Sequence, residues 1–409
     1  MDKKYFKYST IASCTIVTLP ILQCYNFNGI AVNKFLMLIL VLLFFAHNKS
    51  IRCVSNKLKT FLFYALIFPP IVALLYDYGS QFIGSFIQLG LFFVLYLLFQ
   101  PYVNIDLIKK YYTVLSRAAI FVFILQEVVG MLTGSRFGVL IPFLDLYNDM
   151  PVSSYMAHYK SFERSCSFFV EPSHFVQYIA PYLAVLLNDI SKKGKFCGIE
   201  PILISFIFLL SKSGTGYFLC ATIWLVHFLT CQIKLRKKIM VIFPISFILI
   251  IYGFTYLSNT QIGTEVLERA ETIDANYTGD AMSATIRIYR GFWVQLTMPI
   301  IAKVFGVGLG GADAVIDKSP FNYMFNNEHY LNNASGFLIA FGFIGTILLL
   351  MYVLSLCRRF ETGSIMVVAA FICLCFLESF MMDSRMLLYL IIPYAYTVKK
   401  NVTINGDQI

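Results

Sequence analysis

Residues 333–356 read NASGFLIAFGFIGTILLLMYVLSL, a run without a charged side chain that is long enough, as a helix, to cross a bilayer. Arg358 and Arg359 follow it closely, whereas the polar sequence NNEHYLN precedes it. Lys and Arg concentrate on the cytoplasmic side of membrane helices. The run therefore predicts a transmembrane helix that enters the membrane from outside and ends inside.

The rest of the chain repeats this pattern. With 58% hydrophobic residues, 13% charged residues and a mean hydropathy of +0.73, too few polar side chains remain to cover a water-soluble protein. We expect an all-α, polytopic transmembrane bundle of about 12 spans, forming one domain over 1–409. The spans are predicted near 8–25, 30–46, 59–76, 80–99, 111–132, 167–188, 199–211, 214–231, 239–257, 333–356, 364–381 and 384–398.

Basic residues gather at every second connection, which predicts that these connections and both termini are cytoplasmic. Two longer loops, 133–166 and 258–332, are then expected outside, in the periplasm. The net charge of +10 follows from this topology and gives no reason to expect a nucleic-acid partner. The basic ends and connections contain Lys3, Lys4, Lys7, Lys49, Arg52, Lys57, Lys59, Lys109, Lys110, Lys192, Lys193, Lys195, Lys234, Arg236, Lys237, Lys238, Arg358, Arg359, Lys399 and Lys400.

The first external loop ends in SFERSCSFFVEPSHF (161–175), which brings ionisable groups to the start of a span. Ionisable groups at that depth usually face a cavity or a partner, because facing lipid is costly. Glu171 could accept a proton, and Arg164 could hold a phosphate through two parallel hydrogen bonds. The structural alternative is an ion pair of Arg164 with Glu171 or Glu163 that anchors the helix start.

The second external loop contains SATIRIYRGFWVQLTMPIIAKVFGVGLGG (283–311). Arg287 and Arg290 lie three residues apart among apolar and aromatic side chains, which predicts an amphipathic helix at the membrane surface. Such a helix can do no more than lie among lipid headgroups. Its arginines can also bind an anionic substrate, and Trp293 could stack on a sugar ring.

The same loop ends in NNEHYLNNASGF (326–337), which brings His329 and Asn332 to the outer mouth of a span. A histidine among asparagines is often only a capping residue. Together with Arg164, Glu171 and the loop arginines, however, it completes an external set that can bind a diphosphate and accept a proton. The sequence contains no P-loop, dinucleotide fingerprint or metal-ligand cluster, so we expect neither cofactor nor metal.

These motifs resemble the superfamily of O-antigen polymerases (Wzy-type) and O-antigen ligases. The resemblance rests on Arg164 with EPS at 171–173, SKSGTG at 211–216, SATIR and GVGLG within 283–310, and NEHYLNNASGF at 327–337, in that order along nearly the whole chain. It implies a glycosyltransferase of the bacterial inner membrane that needs no nucleotide sugar or ATP. Lipid-linked oligosaccharides would be joined at the periplasmic face for lipopolysaccharide biosynthesis.

The resemblance to the polymerases also implies roles for individual residues. Glu171, His329, Arg164 and Arg287 would be catalytic, and Arg290, Lys212, Trp293 and Asn332 would bind substrate. The implied partners are an undecaprenyl-diphosphate-linked oligosaccharide and membrane lipid. A chain-length regulator and a flippase are further candidate partners. Two alternatives remain: a ligase that transfers glycan to lipid A core, and a flippase or other transporter of lipid-linked oligosaccharides.

Overall fold

The computed structural model describes residues 3–28, 30–48, 55–78, 82–134, 136–138, 141, 144–146, 164–233, 284–325, 330–357 and 361–406. Within these ranges the chain is mostly helical. The α-helices are α1 (Lys3–Thr18), α2 (Val32–Asn48), α3 (Asn56–Leu75), α4 (Phe82–Phe99), α5 (Ile105–Thr133), α6 (Pro172–Lys192), α7 (Ile199–Leu210), α8 (Gly214–Thr230), α9 (Ala284–Thr297), α10 (Ile300–Phe305), α11 (Ala312–Asp317), α12 (Asn333–Ser355), α13 (Thr362–Leu377) and α14 (Ser384–Gly406). Short 3₁₀ turns lie at Gln100–Tyr102, Leu309–Gly311 and Asn322–Phe325.

A helix overlaps each predicted span except 239–257, which is outside the described residues, although several helices are shorter than the spans: α1 ends at Thr18 in span 8–25, and α6 begins at Pro172 in span 167–188. Among the described helices, α3, α5 and α12 are long and apolar enough to cross a membrane. α2, α4, α7, α8 and α13 contain shorter apolar stretches. This helical, strongly apolar architecture is the one expected of a membrane protein.

Local sequence signals set several helix ends. Asn104 caps α5, because its side-chain oxygen accepts the backbone N–H groups of the first turn. The same helix stops at Gly134, whose φ of 73° is readily adopted only by glycine. α6 begins with Pro172, whose missing N–H is harmless in a first turn.

α6 lies at the centre of the packing. It contacts α5, α7, α8, α13 and α14, and most of its side chains are buried. Backbone carbonyls on α6 also accept hydrogen bonds from buried tyrosines: Tyr389 donates to Gln177 at 2.8 Å, and Tyr112 donates to Tyr178. The N-terminal end of α6, where Glu171 lies, is therefore held by the core rather than by a peripheral helix.

The expectation of an all-α chain misses a small antiparallel sheet. Strand β1 (Tyr25–Phe27) lies between β2 (Ile30–Ala31) and β3 (Asp145–Leu146). The strands are only two or three residues long, so they leave no readable alternation of apolar and polar residues. β1 follows the first predicted span and β3 belongs to the loop 133–166, so the sheet joins two of the predicted external connections.

The GVGLG sequence crosses α12 at close range. The N–H groups of Val307 and Gly308 donate to the carbonyls of Ile339 and Ala340 at 3.0 and 2.8 Å. α12 is broken just beyond, at Gly342, whose φ is 64°. A Cβ on Gly342 would collide with the backbone of the facing segment, so this crossing needs a residue without a side chain. The glycines here allow the two segments to cross in close contact.

Candidate functional site

Charged and hydroxyl side chains converge where four connections meet. These connections are the segment leading into α6, the turn between α7 and α8, the segment leading into α12, and the turn between α13 and α14. Sequence analysis predicts all four on the external side. We call the side chains that meet there the polar cluster; it consists of Arg164, Glu171, His174, Thr215, Tyr330, Glu378, Asp383 and Arg385.

Arg164 projects from a segment that is fixed to α5. The side-chain carbonyl of Gln126 accepts the N–H of Ser167 at 2.7 Å, and the Ser167 hydroxyl donates to the carbonyl of Ala119 at 2.7 Å. The Arg164 guanidinium in turn donates to the backbone carbonyl of Lys212 at 3.4 Å. Arg164 is only half-buried, so part of this residue lies at the surface of the protein.

Lys212 occupies the turn between α7 and α8. Its φ of 50° is unusual for a residue with a side chain, and the residue is only 5% exposed. The SKSGTG sequence therefore forms a tight, buried turn, capped by the Ser213 hydroxyl at the start of α8. In this conformation the carbonyl of Lys212 accepts a hydrogen bond from Arg164. Substrate binding by the Lys212 side chain stays a prediction.

Glu171 directly precedes α6, and its carboxylate accepts a hydrogen bond from the Ser173 hydroxyl at 3.0 Å. The guanidinium groups of Arg164 and Arg385 act electrostatically on this carboxylate. Cationic neighbours favour the ionised form of a carboxyl group. Glu171 is therefore placed as a carboxylate able to accept a proton.

Arg385 is the buried cation of the polar cluster. Its Nε and Nη2 atoms contact Oδ2 of Asp383 at 2.9 and 2.8 Å. Its Nη1 donates to the side-chain carbonyl of Gln177 at 2.7 Å, and Nη2 also donates to the carbonyl of Ser379 at 3.0 Å. These contacts connect the turn before α14 to α6, so Arg385 holds these two parts of the polar cluster together. Its positive charge also acts on Glu171.

Glu378 directly follows α13 and is half-buried. Its carboxylate accepts hydrogen bonds from the hydroxyls of Thr215 and, at 3.2 Å, Tyr330. Glu171 and Arg385 act electrostatically on Glu378, so the polar cluster holds two carboxyl groups near one buried cation.

Arg290 lies on the amphipathic helix α9 but points into the protein. Its Nη2 donates to the carbonyl of Tyr330 at 2.8 Å, its guanidinium lies 5.6 Å from the Tyr330 ring centre, and the residue is 2% exposed. Gly291 allows this approach, because a Cβ there would collide with Ser335 of α12. The expectation that α9 presents both arginines at the membrane surface is therefore wrong for Arg290. Arg287 lies in the same helix, but its side chain is outside the described residues.

The remaining predicted site residues have different positions. Trp293 is 38% exposed and lies near Phe321. Asn332 is buried and caps α12: its side-chain oxygen accepts the N–H of Ser335, and its amide donates to the carbonyl of Ile288 at 2.8 Å. This structural role uses both ends of its side chain. His329 lies outside the described residues.

The polar cluster includes six residues that were not among the predicted site residues: His174, Thr215, Tyr330, Glu378, Asp383 and Arg385. The last three occur in ESFMMDSR (378–385), between two apolar runs. Ionisable residues at the end of a predicted span are themselves a signal of function or of pairing. That signal was present, but only the fold brings this turn next to Glu171.

Comparisons with protein-family models, with curated proteins and with solved structures find no match for this chain.

Proposed function

We propose that this protein is an O-antigen-type polysaccharide polymerase that joins undecaprenyl-diphosphate-linked oligosaccharide repeat units. The observation that carries the proposal is the polar cluster, which combines the half-buried Arg164 with the Glu171 carboxylate at the end of an apolar helical bundle. A lipid-linked diphosphate substrate needs this combination: a cation for the diphosphate, a proton acceptor, and an apolar surface for the lipid. The motif resemblance supports the same reaction.

In the proposed reaction, a hydroxyl on the terminal sugar of one repeat unit attacks the anomeric carbon of the growing chain. The new glycosidic bond forms as the bond from that carbon to the diphosphate oxygen breaks. The electron pair leaves with the diphosphate, which stays on its lipid, and the hydroxyl proton passes to a base. Arg164 would stabilise the negative charge that develops on the diphosphate, with Arg287 as the second candidate.

Glu171 is the proposed base, because its carboxylate lies in the polar cluster with Arg164 and can accept a proton there. His329 is retained as the alternative proton acceptor. Arg290 acts indirectly in this scheme: it holds Tyr330, whose hydroxyl contacts Glu378. The protein uses neither a nucleotide sugar nor ATP, because the diphosphate bond of the donor supplies the driving force.

The proposal includes a topology of about 12 spans in the bacterial inner membrane, with both termini cytoplasmic and the polar cluster on the periplasmic side. Phosphatase fused after Asp145 or Thr278 is expected to be active, because that enzyme works only outside the cytoplasm. Fusions after Lys195 or Lys237 are expected to be inactive. The opposite pattern would contradict both the topology and the placement of the site.

The phenotype of a strain that lacks this protein tests the proposed function. Lipopolysaccharide from that strain should carry a single repeat unit on its lipid A core, because ligation is intact and only elongation is lost. A missing ligase would leave core without any repeat unit, and a missing flippase would retain the unit inside the cell. Gel electrophoresis separates a one-unit product from bare core. If the strain without this protein produces bare core, and this gene alone restores the attached repeat units, the polymerase proposal is contradicted.

A further inference from the structure

An apolar groove runs along the outside of the bundle between α5 and α7. Its volume is about 440 Å³, within the range of ligand pockets in proteins. Ile204 and Ile207 form its floor and are almost fully buried. Its walls are Phe121 and Ile124 on α5, and Leu203 and Phe206 on α7, all of which are exposed.

One end of the groove is closed by an ion pair. Arg117 contacts both carboxylate oxygens of Glu200 at 2.9 Å, and the Tyr182 hydroxyl donates to the same carboxylate at 2.7 Å. These polar groups satisfy one another, so they offer no strong site for a second charged group. The groove is therefore apolar along its length and polar only where it stops.

The opposite end of the groove leads to Arg164. Leu210 lines the groove and ends α7, and Lys212, two residues later, accepts the hydrogen bond from Arg164. The α7 wall thus continues into the turn whose carbonyl accepts the hydrogen bond from Arg164.

We propose that this groove binds the isoprenoid chain of the lipid-linked substrate, with the diphosphate at Arg164. The inference rests on the proposed function and identifies where the lipid part of that substrate lies. An isoprenoid chain is apolar and branched, so it gains free energy by filling a groove lined with Ile, Leu and Phe. From Glu200 to Leu210 the groove extends about 15 Å at 1.5 Å per residue, long enough for several isoprene units.

Photolabelling of the full-length protein in lipid nanodiscs tests this proposal. The probe is undecaprenyl diphosphate with a diazirine in its isoprenoid chain. Labelled residues are expected on the groove faces of α5 and α7, and excess unlabelled undecaprenyl diphosphate should remove the label. Excess phosphatidylglycerol should not remove it. Labelling that is spread over the lipid-facing surface, or that phosphatidylglycerol removes equally well, would show an ordinary bilayer lipid and overturn the proposal.

Variants that fill the groove provide matched controls. Ile124→Trp and Leu203→Trp should lower labelling about tenfold, because the indole takes the space of the chain. Leu125→Trp and Ile202→Trp should leave labelling within about twofold. Leu125 follows Ile124 and is 41% exposed, against 45% for Ile124. Ile202 precedes Leu203 and is 39% exposed, against 57% for Leu203. Neither control residue lines the groove. Equal labelling in all four variants would also overturn the proposal.

The same preparations separate this inference from the proposed function. Specific labelling of the groove in a protein that forms no polymer would retain the lipid site and reject the polymerase. Polymer formation that is unaffected by the groove variants, together with unspecific labelling, would retain the polymerase and reject the groove.

Discussion

Arg164→Ala is expected to abolish visible long-chain glycan in a strain that expresses only the variant. Removing one donor that stabilises developing negative charge typically slows a reaction by about 10²- to 10³-fold. Arg164 donates to Lys212 from a half-buried position, and its planar guanidinium can also hold two phosphate oxygens at once. Arg164→Lys should restore activity poorly, because an ammonium group cannot make the same paired contacts.

Lys318→Ala is the control for this variant. Lys318 also carries a positive charge on a predicted external connection, but it contacts Asp77 at the surface and lies outside the polar cluster. Its loss should leave the glycan ladder unchanged. Gel electrophoresis of lipopolysaccharide, together with immunoblots for equal amounts of inserted protein, makes the comparison. Wild-type ladders from Arg164→Lys would assign Arg164 a structural role.

Arg385→Met is expected to destabilise the folded protein by about 3–5 kcal/mol, as is typical when one partner of a buried ion pair is removed. Asp383, whose side chain is only 13% exposed, would then lose its cation, and Gln177 and the carbonyl of Ser379 would each lose a donor. Arg385→Lys should recover only part of this loss, because one ammonium group cannot reach all three acceptors.

Thermal denaturation of the purified protein in detergent measures the effect of Arg385→Met, with Lys318→Met as the exposed control. The control should denature at the same temperature as the wild type, since ion pairs at the surface contribute little to the stability of the fold. If Arg385→Met denatures at the same temperature as the wild type, Asp383 does not depend on Arg385. The turn at 378–383 is then held by other contacts. The position of that turn beside Glu171 would then need another explanation.

The helices could be predicted from the sequence because an apolar run and its capping residues act locally. α12 illustrates this: its predicted start at residue 333 agrees with the structure, where Asn332 is the cap. The break at Gly342 could not be predicted, because it exists only where the GVGLG segment crosses the helix. β1 is likewise too short to leave a local pattern, and one of its two partners, β3, is far away in the sequence.

The candidate site could be predicted only in part. Arg164 and Glu171 were selected because they are charged at the start of a span, and the structure brings both into the polar cluster. Arg290 was selected for its helical spacing from Arg287, but spacing alone does not show which way a helix faces. Arg385 was missed because its contact with Gln177 joins residues that are far apart in the sequence.

Reconstitution with defined substrates tests the central proposal most directly. The purified protein in nanodiscs receives undecaprenyl-diphosphate-linked repeat units from a strain that lacks it, without nucleotide sugar, ATP or lipid A core. The predicted result is a ladder of lipid-linked products that grow by one repeat unit, with one undecaprenyl diphosphate released for each unit added. Repeat units that remain single, and become joined only when lipid A core is supplied, would contradict the polymerase proposal and favour a ligase.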